Sequence, residues 1–306
     1  MKRLIIDTDP GVDDAHAIML ACAYPDIRVE AITTVAGNVT QEKATLNALK
    51  ILEVVGKDVP VYPGCPDALV IPTPRRAISH GTDGLGDSGY PEPSRRPESE
   101  HAVQALIRLA NASPGELTLA AIGPLTNIAL ATQLDPALPR KFKQLVVMGG
   151  AIHAKGNSWE RAAEFNFYCD PEAAAVVFQT WSELTLVPWE TTLAHALTAA
   201  QVERLSRGSS PRAEFFRRTV QKRFQEGADR QRVVYEPDPL ALAVAIEPEI
   251  VQRQDSHYIE IELTGKLTRG QSVVDWYHLT GRPDNAAVVM EVDRERFLEL
   301  LRRSLD

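Results

Sequence analysis

Short apolar runs alternate with amphipathic stretches along most of this chain, and that alternation restricts the fold to a narrow class. "RLIID" is a brief apolar run ending in acid, as expected of a buried parallel strand. The stretch after it carries Ala15, Ile18, Met19 and Cys22 on one helical face and stops at Tyr24-Pro25. "VEAITTVAGN" reads as the next strand. A helix follows with Ala48, Leu49, Leu52 and Val55 on one face and Gly56 at its end, and "VPVYPG" reads as a third strand. The pattern resumes with a helix through Val103, Leu106, Ile107 and Ala110. Then come strand "LTLAAIG", helix "LTNIALATQL", strand "KQLVVMGG", helix "PEAAAVVFQTW" and strand "LTLVPWE". Residues 196–232 are polar and predict helix, and "DPLALAVAI" follows. "HYIEIEL", "QSVVDW" and "AAVVMEV" predict strands, closed by helix "DRERFLELLRRSL". The alternation predicts an α/β fold, a doubly wound, mostly parallel sheet flanked by helices, with right-handed crossovers. No linker or repeat interrupts it, so residues 1–306 are expected to form a single domain.

Residues 64–100 break the rhythm. Pro and Gly are frequent, and "SHGTDGLGDSG" has no periodicity, which predicts a long functional loop. The apolar fraction of 44% and charged fraction of 24% are those of an ordinary globular enzyme. A net charge of −8 argues against a nucleic-acid partner, which would need a basic face. No apolar run reaches the ~18 residues of a membrane span, and the N-terminus has no signal-peptide pattern. Cys22, Cys65 and Cys169 are odd in number and widely spaced. They read as free thiols of a cytoplasmic protein rather than a disulfide frame or a zinc site.

The densest chemistry lies directly after the first strand. In "DTDPGVDDA" Asp7, Asp9, Asp13 and Asp14 surround a Pro-Gly turn. Carboxylates so close repel one another unless a cation or a proton sits among them. A dipole-stabilised helix start would explain Asp13 and Asp14 but gives Asp7 and Asp9 no task. An EF-hand loop starting at Asp7 would need Gly and Glu where Val12 and Ile18 stand, so it fails. A metal site at a strand end remains, its oxygen donors selecting Mg²⁺ or Ca²⁺. It could serve a hydrolase, or a D-x-D phosphohydrolase with Asp7 as nucleophile. In doubly wound sheets ligands bind at the carboxyl ends of the strands. Asp7, Asp9 and the ends of "TTVAGN", "AAIG" and "MGG" fall on that rim.

"DTDPGVDDA" resembles the N-terminal signature of the inosine–uridine-type nucleoside hydrolases. "AITTVAGN", "GPLTNIAL", "VVMGG", "AEFNFYCDPEAA", "DPLALAVA" and "IELTGKLTRGQSVVD" resemble later blocks of that family in the same order. The resemblance spans about Lys2 to Asp275. It implies a Ca²⁺-dependent enzyme that hydrolyses the N-glycosidic bond of a small-molecule ribonucleoside, and a homodimer or homotetramer. Position by position, it implies that Asp9, Asp14, Asp238 and the carbonyl of Ile122 bind the metal. Asp13 corresponds to the base that deprotonates a metal-bound water. Asn38 corresponds to a residue reaching the ribose diol and the water. Asn157, Glu164 and Asn166 correspond to the ribose-hydroxyl group, Met148 to an apolar contact beside them, and His80 to a histidine near the nucleobase. Asp7 would support the nest from behind. A non-catalytic nucleoside-binding protein on the same fold is the alternative outside enzymology.

Two positions depart from the family. Pro237 stands where many members carry a histidine before the third metal aspartate, and proline can donate no proton. His80, Tyr235 or Glu236 would then protonate the leaving base, or stacking would activate it. The "GNSWERAAEFN" block is one residue longer than usual between Asn157 and Glu164. Of the remaining residues, His16 and His195 read as satisfied structural histidines, and Trp181, Trp189 and Phe178 as core or interface. Trp159 and Tyr235 read as stacking candidates, Cys169 as a buried small hydrophobe, and Arg75-Arg76 and Arg217-Arg218 as solvated faces.

Overall fold

The computed structural model describes residues 1–72, 78–159, 161–226 and 233–306. Its first half follows the alternation: β1 (Lys2–Thr8), α1 (Val12–Ala23), β2 (Ile27–Thr34), α2 (Gln41–Val55) and β3 (Val61–Pro63). A single 3-10 turn, Ile78–His80, stands in the long loop before α3 (Ala102–Ala112), β4 (Leu117–Ala121), α4 (Thr126–Leu134) and β5 (Gln144–Met148). Then come α5 (Phe165–Cys169), α6 (Pro171–Thr180), β6 (Leu184–Val187) and α7 (Trp189–Ala194). The remainder is β7 (Leu197–Thr198), α8 (Ala199–Leu205), α9 (Pro211–Glu226), β8 (Val233–Val234) and α10 (Pro237–Ile246). β9 (Val251–His257), β10 (Ile259–Ile261), β11 (Ser272–Val274), β12 (Ala286–Val292) and α11 (Arg294–Ser304) close the chain.

Eight strands form the central sheet in the order β3-β2-β1-β4-β5-β6-β12-β9, all parallel except β9, which runs antiparallel to β12. The order reverses between β1 and β4, so their carboxyl ends open the crevice in which such sheets bind ligands. Alternate side chains of β1 enter different cores: Leu4 and Ile6 pack with α1, α2 and α10, whereas Ile5 packs with α3, α4 and α6. Burial on both faces is why these strands read as continuous apolar runs.

The helix ends follow local chemistry. Asp170 accepts from Ala173 N at 3.0 Å ahead of Pro171, and Asp293 accepts from Arg296 N at 3.0 Å. Gly56 ends α2 with φ 65°, a conformation costly for other residues. Among the described residues no helix is long and apolar enough to cross a membrane.

The expected strands of the C-terminal region are redistributed. "HYIEIEL" and "QSVVDW" supply β10 and β11, which pair only with each other in a separate hairpin. The sheet ends instead on β9, "VQRQDSH", mostly exposed and without apolar alternation. Arg217 is half-buried, donating to the carbonyls of Ser206 and Gly208, while Arg218 lies over the Tyr90 ring at 4.9 Å. Arg75 and Arg76 lie outside the described residues.

Candidate active site

The residues after β1 turn sharply through Pro10 and Gly11 into α1, which places Asp9, Asp13 and Asp14 at the crevice. α10 brings Asp238 to the same point in its first turn. Carboxylate oxygens of Asp13, Asp14 and Asp238 lie within 4.8 Å of one another, all three side chains buried. Asp9 is wholly buried beside them. Its Oδ2 accepts from Asn38 N at 2.6 Å, while its Oδ1 has no hydrogen-bond partner among the described residues. Gly37 and Gly123 make room for that carboxylate: a Cβ at Gly123 would fall 2.7 Å from Asp9 Oδ1, and one at Gly37 would collide with Oδ2. Asp14 is held by Thr8 Oγ1 at 2.5 Å, Gly11 N at 2.8 Å and Asn38 Nδ2 at 3.1 Å.

Burial and mutual repulsion set the electrostatics. Burial, with the charge of Asp13, pushes the Asp14 carboxyl up to about 6 despite its hydrogen bonds. Asp9 and Asp238 are pushed well above the usual carboxylate range, first by burial and then by Asp14. An oxygen-only set of this kind fits a hard cation, whose charge would reverse the repulsion. Asp7 stands behind the nest. It accepts from Thr33 Oγ1 at 2.6 Å and Asn127 Nδ2 at 2.8 Å, and burial raises it to about 7.

A cavity of about 380 Å³ opens onto the cluster, lined by Asp13, Asn38, Ile122, Met148, Asn157, Glu164, Asn166, His80 and Asp238 among others. It thus gathers Asp13, His80, Asn38, Met148, Asn157, Glu164 and Asn166, together with Tyr235, but neither Trp159 nor Glu236. Asn166 Nδ2 donates to the carbonyls of Ile122 at 3.1 Å and Met148 at 3.3 Å, so one amide ties the ends of β4 and β5. Glu164 caps α5, accepting from Asn166 N at 2.9 Å, Phe167 N at 3.3 Å and Gly150 N at 3.0 Å. Burial nevertheless raises it to about 7. The loop before it closes on itself, with Gly156 N donating to Arg161 O and Ser158 N to Ala163 O. Asn157 therefore stays beside the site, its Oδ1 accepting from Phe165 N at 2.8 Å.

On the opposite wall the loop of residues 64–100 delivers His80. A Cβ at Gly11 would stand 2.5 Å from His80 Nδ1, so the imidazole packs against the Pro-Gly turn itself. Val12 N donates to Nδ1 at 3.1 Å, which leaves Nε2 to carry the proton of the neutral ring; Asp13 Oδ1 lies 3.4 Å from Nδ1.

The aromatic expectations change here. Trp159 is 61% exposed and does not line the cavity. Trp189, expected as core or interface, packs partly buried against the core and also lines the cavity with Tyr235, their ring centroids 5.3 Å apart. The signal for Trp189 was present: it directly follows β6 and therefore sits on the ligand-binding rim. Ser79 and Phe165 also line the cavity and carried no sequence signal. His195 bridges Thr191 O and Val292 O, Trp181 and Phe178 are buried in the core, and the three cysteines are buried and unbridged.

The model of the family described as inosine-uridine preferring nucleoside hydrolase matches residues 4–299. The pyrimidine-specific ribonucleoside hydrolase RihA of Salmonella paratyphi B is 38% identical over 310 residues, 99% of this chain and 97% of that protein. Among solved structures, an inosine-guanosine nucleoside hydrolase superposes with a TM-score of 0.92 at 36% identity, covering 99% of this chain and 98% of the other. A purine-preferring ribonucleoside hydrolase from Gardnerella vaginalis gives 0.90 at 30% identity, with the same coverage. The chain belongs to the inosine-uridine preferring nucleoside hydrolase family. It is an enzyme that hydrolyses ribonucleosides to ribose and free base.

Proposed function

We propose that this hydrolysis takes place in the cavity beside the aspartate cluster, where Asp9, Asp14, Asp238 and the Ile122 carbonyl hold one Ca²⁺. The observation that carries the proposal is the cluster itself: buried carboxylates with an unpartnered Asp9 Oδ1 call for a cation. Ca²⁺ held there would supply Lewis-acid chemistry, helping to orient ribose hydroxyls and making a water easier to deprotonate.

The chain's own groups do the rest. Asp13, whose carboxylate lies within 4.8 Å of those of Asp14 and Asp238 and also lines the cavity, accepts the proton of the attacking water. Asn38, Asn157, Glu164 and Asn166 supply directed donors and acceptors for the ribose, and Met148 packs beneath it. As the C–N bond breaks, oxocarbenium charge develops on the sugar and the surrounding carboxylates stabilise it.

The leaving base would lie against Trp189 and Tyr235. Pro237 donates nothing, and Glu236 faces His16 at 2.8 Å rather than the cavity. His80 and Tyr235 remain on the cavity lining, and because imidazole is the side chain that ordinarily exchanges protons near neutral pH, His80, with its Nε2–H, is the donor assigned to the base. His80→Ala should slow natural nucleosides roughly 100-fold or more, in line with general-acid contributions. A nitrophenyl riboside, whose leaving group needs little protonation, should be nearly unaffected. Equal losses on both substrates would move His80 away from the leaving-group side; no loss on either would remove it from the reaction. The same proposal takes residues 1–306 as one domain of a cytoplasmic homodimer or homotetramer. Its three unbridged thiols suit a reducing compartment, and light scattering reads the assembly.

A further inference from the structure

One pair of buried titratable side chains is not used by this chemistry. His16, one helical turn after Asp13 on α1, places Nδ1 2.8 Å from Glu236 Oε2, and both side chains are only 1% exposed. His16 Nε2 stands 3.2 Å from Thr219 Oγ1 on α9. That hydroxyl donates to the carbonyls of Phe215 and Phe216, so it accepts from the imidazole. The ring is packed on Phe216 with centroids 4.4 Å apart.

Glu236 occupies the N-cap position of α10 but makes no capping hydrogen bond with its side chain, which reaches across to α1. Its neighbours Tyr235 and Pro237 line the cavity. Thr219 has a second connection: a Cβ at Gly86 would fall 2.5 Å from its carbonyl oxygen, and Gly86 N donates to His80 O at 2.8 Å. Glu236 thus adjoins the Tyr235–Pro237 segment, the backbone of Thr219 reaches the His80 turn through Gly86, and His16 joins the two to α1.

We infer that His16, Glu236 and Thr219 are positioning residues that fix the base-facing wall of the cavity against α1. The ribose-facing wall is built from other segments, Asn38 after β2 and the residues after β5 and at the start of α5, so the two walls separate in an experiment. A buried ion or hydrogen-bond pair is a costly way to fill space, because an apolar pair of similar volume is often as stable. The pair thus sets geometry where packing alone would leave the segment before α10 free to shift. This inference rests on the cavity being the nucleoside site.

The test compares the wild type with His16→Leu/Glu236→Leu, Glu236→Gln and Thr219→Val. Wild-type enzyme that releases no ribose from nucleosides, or is not inhibited by ribose, contradicts the site itself rather than this inference. In the folded double variant, KM for nucleosides should rise ~10-fold or more, the scale of a disturbed pocket contact, while inhibition by free ribose stays within about 2-fold. Glu236→Gln, which keeps an oxygen acceptor for His16, should recover KM to within about 3-fold of wild type. A folded double variant with wild-type KM overturns the inference. Parallel loss of ribose and nucleoside binding overturns it too, since the pair would then support the whole site. If the double variant does not fold, Thr219→Val decides: a rise of roughly 3-fold in nucleoside KM with unchanged ribose inhibition supports the positioning role, and an unchanged KM ends it.

Discussion

Asp13→Asn should keep the cation and the affinity for ribose but lose turnover by roughly 100-fold or more, the usual scale of a general base. The amide preserves shape and removes only the capacity to take a proton. Asp13 lies at the cavity, whereas Asp9 is enclosed by Gly37, Gly123 and Asn38, and Asp14 by Thr8, Gly11 and Asn38. Neither of those two has a free approach to a substrate water. Single-turnover kinetics with ribose inhibition measured alongside separates the steps. A variant that retains most of its turnover would require another base, and a variant that loses ribose inhibition as well would show a collapsed site.

Removing the cation should abolish activity and also lower thermal stability. Asp9, Asp14 and Asp238 are drawn toward protonation first by burial and then by a neighbouring carboxylate, Asp14 acting on Asp9 and Asp238 and Asp13 acting on Asp14. A cation that binds only the folded chain stabilises it by about 2.7 kcal/mol at a concentration 100 times its dissociation constant. The melting temperature should therefore fall on chelation and recover when Ca²⁺ is restored. Activity and stability that both survive exhaustive chelation would leave the aspartate cluster without its proposed occupant.

The central sheet was legible because its strands are buried on both faces. "LTLAA" is buried at every position and "QLVVM" at every position but Gln144, so neither shows polar alternation. β9 was not legible for the opposite reason. An edge strand with solvent around it needs no apolar residues, so "VQRQDSH" gives no hydrophobic signal at all. α5 has only five residues inside an irregular stretch, and its cap is Glu164, a residue picked for its chemistry rather than for starting a helix.

The site divides in the same way. Density of charge on a strand end exposed the aspartates, and the family blocks supplied Asn38, Asn157, Glu164 and Asn166. Trp189 reads as core or interface, and it both packs on the core and lines the cavity, whereas Trp159 reads as a stacking residue because it adjoins site residues in sequence. Proximity along the chain found Tyr235 but misled for Trp159. The His16–Glu236 contact bridges 220 positions and exists only once α1 and α10 are packed together, so no local pattern announces it.

The most direct measurement of the central claim is product stoichiometry from a panel of purine and pyrimidine ribonucleosides, with and without chelation. The account predicts one free ribose for each base released, no phosphate requirement, loss of both products on chelation, and their return with Ca²⁺. Base release without free ribose, or equal release of both in the chelated enzyme, would contradict it.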